Sequence, residues 1–522
     1  MREDWIIDFP RVENRTMEDA VKVVGEKQMK LNQYACASAI LASTISIIFG
    51  YDTGVMSGAM IFIKEDLKIN DTQIEVLAGV LNLCALIGSL TAGRTSDYIG
   101  RRYTIVLASI LFLLGSILMG YSLNYGMLMA GRCVAGVGVG FALMIAPIYT
   151  AEIASATHRG KLASLPEFCI SLGILLGYVS NYLFGKLSLG LGWRLMLGVA
   201  AIPSLFLTFG VLKMPESPRW LVMKGRLEDA KRVLLLVSNS KHEAEARLDD
   251  IRIITLDSNT NLDQNEVSLW KQLFCKPALY AAIGIHFFEH ATGVEAVILY
   301  SPRIFEAVGI TSKNKLLLAN VGLGVTKTLF ILVATFLLDK VGRRPLLLTS
   351  TTGVICALVA LGVGLTASSC YTHGSTTPSV SKMHQKICRF SVGENSRKHG
   401  SWALALSIAA TYIYMAFFSI GISPITWVYT SEIFPLKFRA VGAGVAVAVN
   451  RSMNAAVSMS FISIYKAITI GGAFLMFGGI AIMAWLFFYF FLPETKGRSL
   501  EEIEMMFSKK RQASNEVMML KQ

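Results

Sequence analysis

The sequence predicts an all-α integral membrane protein of twelve transmembrane helices in two six-helix halves, and three observations carry that prediction. The 522 residues are 53% hydrophobic and 16% charged. Their apolar members gather in runs such as "YTIVLASILFLLGSILMGYS" at 103–122 and "GAFLMFGGIAIMAWLFFYFFL" at 472–492, near the roughly 20 residues that cross a ~30 Å hydrocarbon core. The longest polar interruption, 213–277, divides the runs six and six.

The elements follow in order. A charged tail at 1–33 precedes the first span and lacks the apolar core of a secretory signal, so the first span acts as its own insertion signal. Spans are expected at 34–61, 74–93, 103–122, 126–149, 162–185 and 193–212, forming the N-terminal half at 34–212. The linker at 213–277 mixes helix formers with charges over 225–257 and predicts short amphipathic helices. The C-terminal half, 278–492, carries spans at 278–301, 314–338, 345–367, 401–428, 440–464 and 469–492, and 493–522 is a second tail. Each run is continuous rather than alternating, and lipid offers no partner for unpaired backbone groups, so helices are the spanning element.

A net charge of +13 raises the question of nucleic acid, which the distribution of Lys and Arg excludes. The side of the N-terminus holds 33 of them and the opposite side 13. Without the long linker the bias is still 22 to 13, which places both termini in the cytoplasm by the positive-inside rule. Cys370 and Cys388 share the extracellular loop 368–400, as a disulfide or as two free thiols. The sequon at Asn70 lies close to the membrane, which disfavours its glycosylation. The glycines of "RCVAGVGVG" at 132–140 follow no strand, so they are read as close helix packing and not as a nucleotide loop.

Short motifs recur in the two halves. "SDYIGRR" at 96–102 is answered by "LDKVGRR" at 338–344, "YTAEIASATHRG" at 149–160 by "YTSEIFPLKFRA" at 429–440, and "PESPR" at 215 by "PETKG" at 493. Three pairs in one order indicate a duplicated six-helix unit. Asp97 with Arg101 and Arg102, Asp339 with Arg343 and Arg344, Glu152 with Arg159, and Glu432 with Arg439 place opposite charges at helix ends. There they are expected to act as gating latches between the halves.

Ionisable groups also fall inside the spans: Asp52, Arg132, Glu167, Glu289, His290, Glu295, Lys327 and Arg451. Each costs about 2.5–3.5 kcal/mol at mid-bilayer on insertion scales, so together they must line a shared interior. Four carboxylates against three fixed cations balance to within one charge. Asp52 is the candidate proton carrier and Arg132 its switch, because an Arg moving toward or away from a buried carboxylate changes the protonation state that is favoured. A static ion pair is the alternative. No metal site and no cofactor other than the coupling proton is expected.

"GRTSDYIGRR", "PESPRWL", "PETKGRSLEEIE" and the paired E-to-R motifs resemble the signatures of the sugar porter family of the major facilitator superfamily, over residues 34–505. "FFEHATGVEAVILYSPRIF" and the stretch from Val325 to Ser350 look most like plant polyol/monosaccharide transporters. The resemblance implies a proton-coupled symporter of polyols and also monosaccharides, working as a monomer in the plasma membrane by alternating access and catalysing no reaction. A facilitative hexose carrier, a transporter-like sugar sensor and a vacuolar location are the alternatives. It also implies the substrate contacts. Glu167 stands where the family has a hexose-binding Gln, Glu289 and His290 on a Gln-Gln pair, and Glu295 and Lys327 on Asn positions. Trp427 and Asn450 match the common pattern, Ser419 falls on a polar position, and Phe49 is a further aromatic contact. The departures turn neutral amides into charged groups, with Glu295 and Lys327 expected to neutralise each other; Arg451 either borders the site or pairs with an acid.

Overall fold

The computed structural model describes residues 32–153, 162, 164–260, 277–310, 312–372, 400–434 and 439–496. Arg159 and Cys388 lie outside them, as do the side chains of Asp339, Cys370 and Arg439. The described residues are helical, with no strand among them. The first four spans are α1 (Gln33–Leu67), α2 (Asp71–Ile99), α3 (Arg101–Gly120) and α4 (Tyr125–Ile153). They are followed by α5 (Leu165–Phe184) and a sixth span in two pieces, α6 (Leu189–Gly198) and α7 (Ala201–Leu212). The linker folds into α8 (Pro218–Met223), α9 (Leu227–Val237) and α10 (Lys241–Thr260). The second half comprises α11 (Pro277–Ala291), α12 (Val294–Ala307), α13 (Lys313–Val341), α14 (Arg343–Thr372), α15 (Gly400–Ile420), α16 (Ile422–Ile433), α17 (Arg439–Ile468) and α18 (Ile470–Phe491).

Eleven of these segments are long and apolar enough to cross a membrane when broken spans are counted as one. The twelfth, α17, is long enough, but Asn450, Arg451, Asn454 and Ser458 interrupt it, and all four are buried in the protein. The seventh and tenth spans, expected as continuous, are each broken, at Thr292–Gly293 and at Gly421. Discontinuous helices of this kind place backbone ends at mid-membrane, where they serve a site.

Small residues let the helices approach. A Cβ on Gly54 would sit 2.4 Å from the Ile174 carbonyl oxygen, and one on Gly177 2.5 Å from the Val55 nitrogen, which brings α1 against α5 around Asp52. Gly136 and Gly140 press in the same way on the α2 backbone, so the "RCVAGVGVG" glycines are packing residues.

The duplication is visible atom by atom at the face that carries the linker. Glu216 accepts from the Arg101 and Arg102 amides at 2.9 and 3.1 Å, capping α3, and Glu494 accepts from the Arg343 and Arg344 amides at 3.0 and 2.9 Å, capping α14. A carboxylate at a helix N-terminus satisfies orphan N–H groups and opposes the dipole. Ser217 and Thr495 donate to Glu152 and Glu432, and Tyr149 and Tyr429 donate to the Pro215 and Pro493 carbonyls.

At the opposite face the halves are tied to each other. Asp71 on α2 accepts from Arg303 on α12 at 3.1 Å and from Lys466 on α17, and Glu65 pairs with Lys313 at 2.7 Å. Buried Glu75 accepts from the Ser463 amide and hydroxyl, each at 2.7 Å. Asn70, the sequon residue, caps α2 by accepting from the Gln73 amide at 2.9 Å.

Candidate functional site

His286, Glu289 and His290 stand at i, i+3 and i+4 on α11 and therefore share one face. The chain then breaks. Gly293 has φ +87, and a Cβ there would lie 2.7 Å from the Phe477 ring, so glycine meets both the backbone and the space requirement. The break puts Glu295 in the first turn of α12, where the helix dipole favours a carboxylate. Glu295 lies 3.4 Å from His290 Nδ1 and accepts from Asn454 Nδ2 at 2.7 Å. The charges of the seventh span thus face partners on α17 and not lipid.

Asn450 is the junction of the network. Its Nδ2 donates to Glu289 Oε2 at 2.7 Å and meets His286 Nδ1 at 3.1 Å, while its Oδ1 accepts from Arg451 Nε at 2.9 Å. Arg451 also reaches Asn82 Oδ1 and His290 Nε2, each at 3.4 Å, and its guanidinium lies 5.7 Å from the Phe49 ring centroid. It both borders the cavity and is held by amides. Glu167 on α5 accepts from Ser423 on α16 at 2.5 Å, joining the halves beside the cavity.

These groups surround a cavity of about 50 Å³ that Phe49, Glu167, Glu289, His290, Glu295, Lys327 and Trp427 line together with Phe418, Ser423 and Arg451. It has room for a few waters. A six-carbon solute requires the surrounding helices to move. Seven of the nine expected contacts therefore meet in one place. Asn450 stands behind Glu289. Ser419 is fully buried and outside the lining, its hydroxyl without a partner among the described residues, because one residue along α15 turns the side chain about 100° from Phe418, which does face in.

Glu295 and Lys327 line the same cavity without a direct ion pair between them. Glu295 takes His290 and Asn454, whereas Lys327, 5% exposed, makes no direct ion pair among the described residues and its ammonium lies 5.8 Å from the Phe418 ring centroid. Lys327 is thus a buried cation on the cavity wall.

Asp52 and Arg132 form a direct pair, Oδ2 to Nη1 2.6 Å, with 4% and 2% of their surfaces exposed. Arg132 also donates to the Leu77 carbonyl at 3.4 Å. Among the helix-end charges, Arg101 bridges Asp97 at 3.0 Å and Glu152 at 3.2 Å, and Arg343 pairs with Glu432 at 2.9 Å. All three pairs join helices of the same half; the ion pairs described between halves lie at the other face. Arg102 and Arg344 turn elsewhere, donating to the Met214 and Tyr489 carbonyls. Glu152 takes Arg101 because α3 and α4 pack side by side.

The profile of the sugar (and other) transporter family matches residues 38–507. The chain belongs to that family. This transporter is 62% identical over 492 residues to probable polyol transporter 3 of Arabidopsis thaliana, covering 91% of the chain and 92% of the relative. It is 54% identical over 501 residues to polyol transporter 5 of the same plant, covering 93% and 88%. Among solved structures, the major facilitator superfamily proton:xylose symporter XylE bound to 6-bromo-6-deoxy-D-glucose superposes with a TM-score of 0.75 at 25% identity, covering 91% of this chain and all of that one. The fold is that twelve-helix architecture, and the protein is a sugar or polyol transporter and not an enzyme.

Sequence reasoning missed His286, Asn82, Phe418, Ser423, Thr430 and Asn454. For His286 the signal was its place one turn before Glu289. The amides and hydroxyls gave none, since such residues are common in spans and declare themselves only when a charged partner is located.

Proposed function

We propose that this transporter is a proton-coupled symporter of polyols, with monosaccharides as a second substrate class, working by alternating access as a monomer. The observation that carries the coupling is the buried Asp52–Arg132 pair at 2.6 Å. A proton arriving on Asp52 cancels the attraction and frees Arg132; its departure restores the pair. One proton falling through ~100 mV supplies about 2.3 kcal/mol, enough for roughly 50-fold accumulation. The closeness to polyol transporters supports the solute class, and so does a cavity that offers carboxylate acceptors and the Lys327 donor to hydroxyl groups. Trp427 presents an apolar face to C–H groups. The linker face is read as cytoplasmic, with both termini, and the membrane as the plasma membrane. Uptake of labelled sorbitol, mannitol, myo-inositol and glucose at two external pH values, with and without an uncoupler, tests the reading: polyol accumulation at the lower pH, abolished by the uncoupler, is expected. Uptake indifferent to both pH and uncoupler favours a facilitative carrier.

A further inference from the structure

We infer that His286 is a positioning residue for solute recognition, fixing the direction of the Asn450 amide and through it the Glu289 carboxylate, and tying both to the tenth span. The inference rests on the cavity being the solute site.

The hydrogen-bond pattern has one consistent assignment. A guanidinium only donates, so Arg451 Nε at 2.9 Å orients the Asn450 oxygen toward itself and the NH2 group away. That NH2 carries two hydrogens and faces two acceptors, Glu289 Oε2 at 2.7 Å and His286 Nδ1 at 3.1 Å. The acceptors lie 3.6 Å apart, too far to bond each other. Nδ1 is therefore the bare nitrogen, and the imidazole proton sits on Nε2, donated to Thr430 Oγ1 at 3.0 Å. The Thr430 hydroxyl in turn donates to the Thr426 carbonyl at 2.7 Å. From Arg451 to Thr426, every donor is used in one direction.

The relay joins three helices. Thr426, Trp427 and Thr430 lie on α16 beyond the Gly421 break, Asn450 on α17, and His286 and Glu289 on α11. His286 also meets the Trp427 ring edge to face, centroids 5.2 Å apart. Glu289 and Trp427 line the cavity while His286 does not. A shift of α16 as the site closes on a solute thus reaches Glu289 through His286. An apolar side chain at 286 leaves an Asn450 hydrogen without an acceptor and lets the amide turn away from Glu289. A glutamine, which carries an acceptor and a donor on one planar group, reproduces the pattern.

The test is sorbitol uptake kinetics of the full-length protein and of H286L, H286Q, T430V and E289Q, each checked as a single monodisperse species in detergent. H286L is expected to raise KM about tenfold, the loss of one buried hydrogen bond, with Vmax changed less than KM. H286Q should stay within about threefold of the parent, and T430V, which removes the acceptor on α16 at nearly constant size, should raise KM as well. A parent-like KM in H286L or T430V overturns the inference, as does an H286Q that folds yet is as defective as H286L. If H286L does not fold, T430V and H286Q decide. E289Q alters the cavity itself: a parent-like KM there overturns the reading of the cavity as the solute site, whereas a raised KM in E289Q with parent-like H286L and T430V sinks the His286 inference alone.

Discussion

Replacing Glu75 by Gln is expected to loosen the closure at the face opposite the linker. Glu75 is 3% exposed and receives both donors of Ser463 at 2.7 Å, one of the buried ties between the halves. The amide oxygen still accepts from the Ser463 amide and the NH2 group donates to the Ser463 hydroxyl, which turns to accept, so both bonds persist but lose their charge assistance. A charge-assisted bond exceeds a neutral one by about 1 kcal/mol, so the two together reach about the 1.4 kcal/mol that makes a factor of ten. The ratio of closed to open molecules at that face should fall about tenfold. Met60, buried in the adjoining vestibule of about 750 Å³, supplies the reporter. In M60C, the rate of labelling by a membrane-impermeant thiol reagent applied from that face should rise about tenfold when E75Q is added, measured against protein lacking the introduced cysteine. An unchanged or slower rate, in folded protein, refutes the reasoning.

Lys327 and Arg451 are both buried cations, yet they should respond differently to loss of charge. Lys327 makes no direct ion pair among the described residues, so K327M should fold normally and raise the polyol KM about tenfold in uptake assays. Arg451 holds Asn450 and Asn82, so R451M strands two buried amide oxygens and should lose about 1–3 kcal/mol for each, read as a fall in melting temperature in detergent. Burial pushes the Glu216 carboxyl above its ordinary value, opposed by the backbone N–H groups of Ser217, Arg102 and Arg101. A raised folded-state value means stability that is present at lower pH and lost as pH rises through that value. E216Q should therefore flatten the acid side of the stability profile; an identical pH profile would contradict this.

The spans were legible because hydropathy alone dictates them, and the duplication because its motifs recur in order. α17, expected at 440–464 and found as Arg439–Ile468, is the least apolar of them. Its Asn450, Arg451, Asn454 and Ser458 lower its hydropathy for the same reason that it carries the site. The breaks at Gly293 and Gly421 stayed hidden because a glycine in an apolar run reads equally well as packing, and Gly54 and Gly177 are packing. The seventh-span charges marked the cavity correctly, since their insertion cost demands an interior. Their partners could not be read: Glu295 takes His290 and Asn454, because helix neighbours and not sequence neighbours decide which charges meet.

The central claim is that Asp52, through Arg132, couples solute movement to a proton. The most direct measurement is the current evoked by sorbitol in voltage-clamped cells expressing the parent or D52N, with labelled uptake recorded in the same cells. The account predicts an inward current of one charge per solute in the parent that grows as external pH falls. In D52N it predicts no current and no accumulation, with exchange of labelled for unlabelled solute retained. A D52N protein that still carries current or concentrates sorbitol would contradict it.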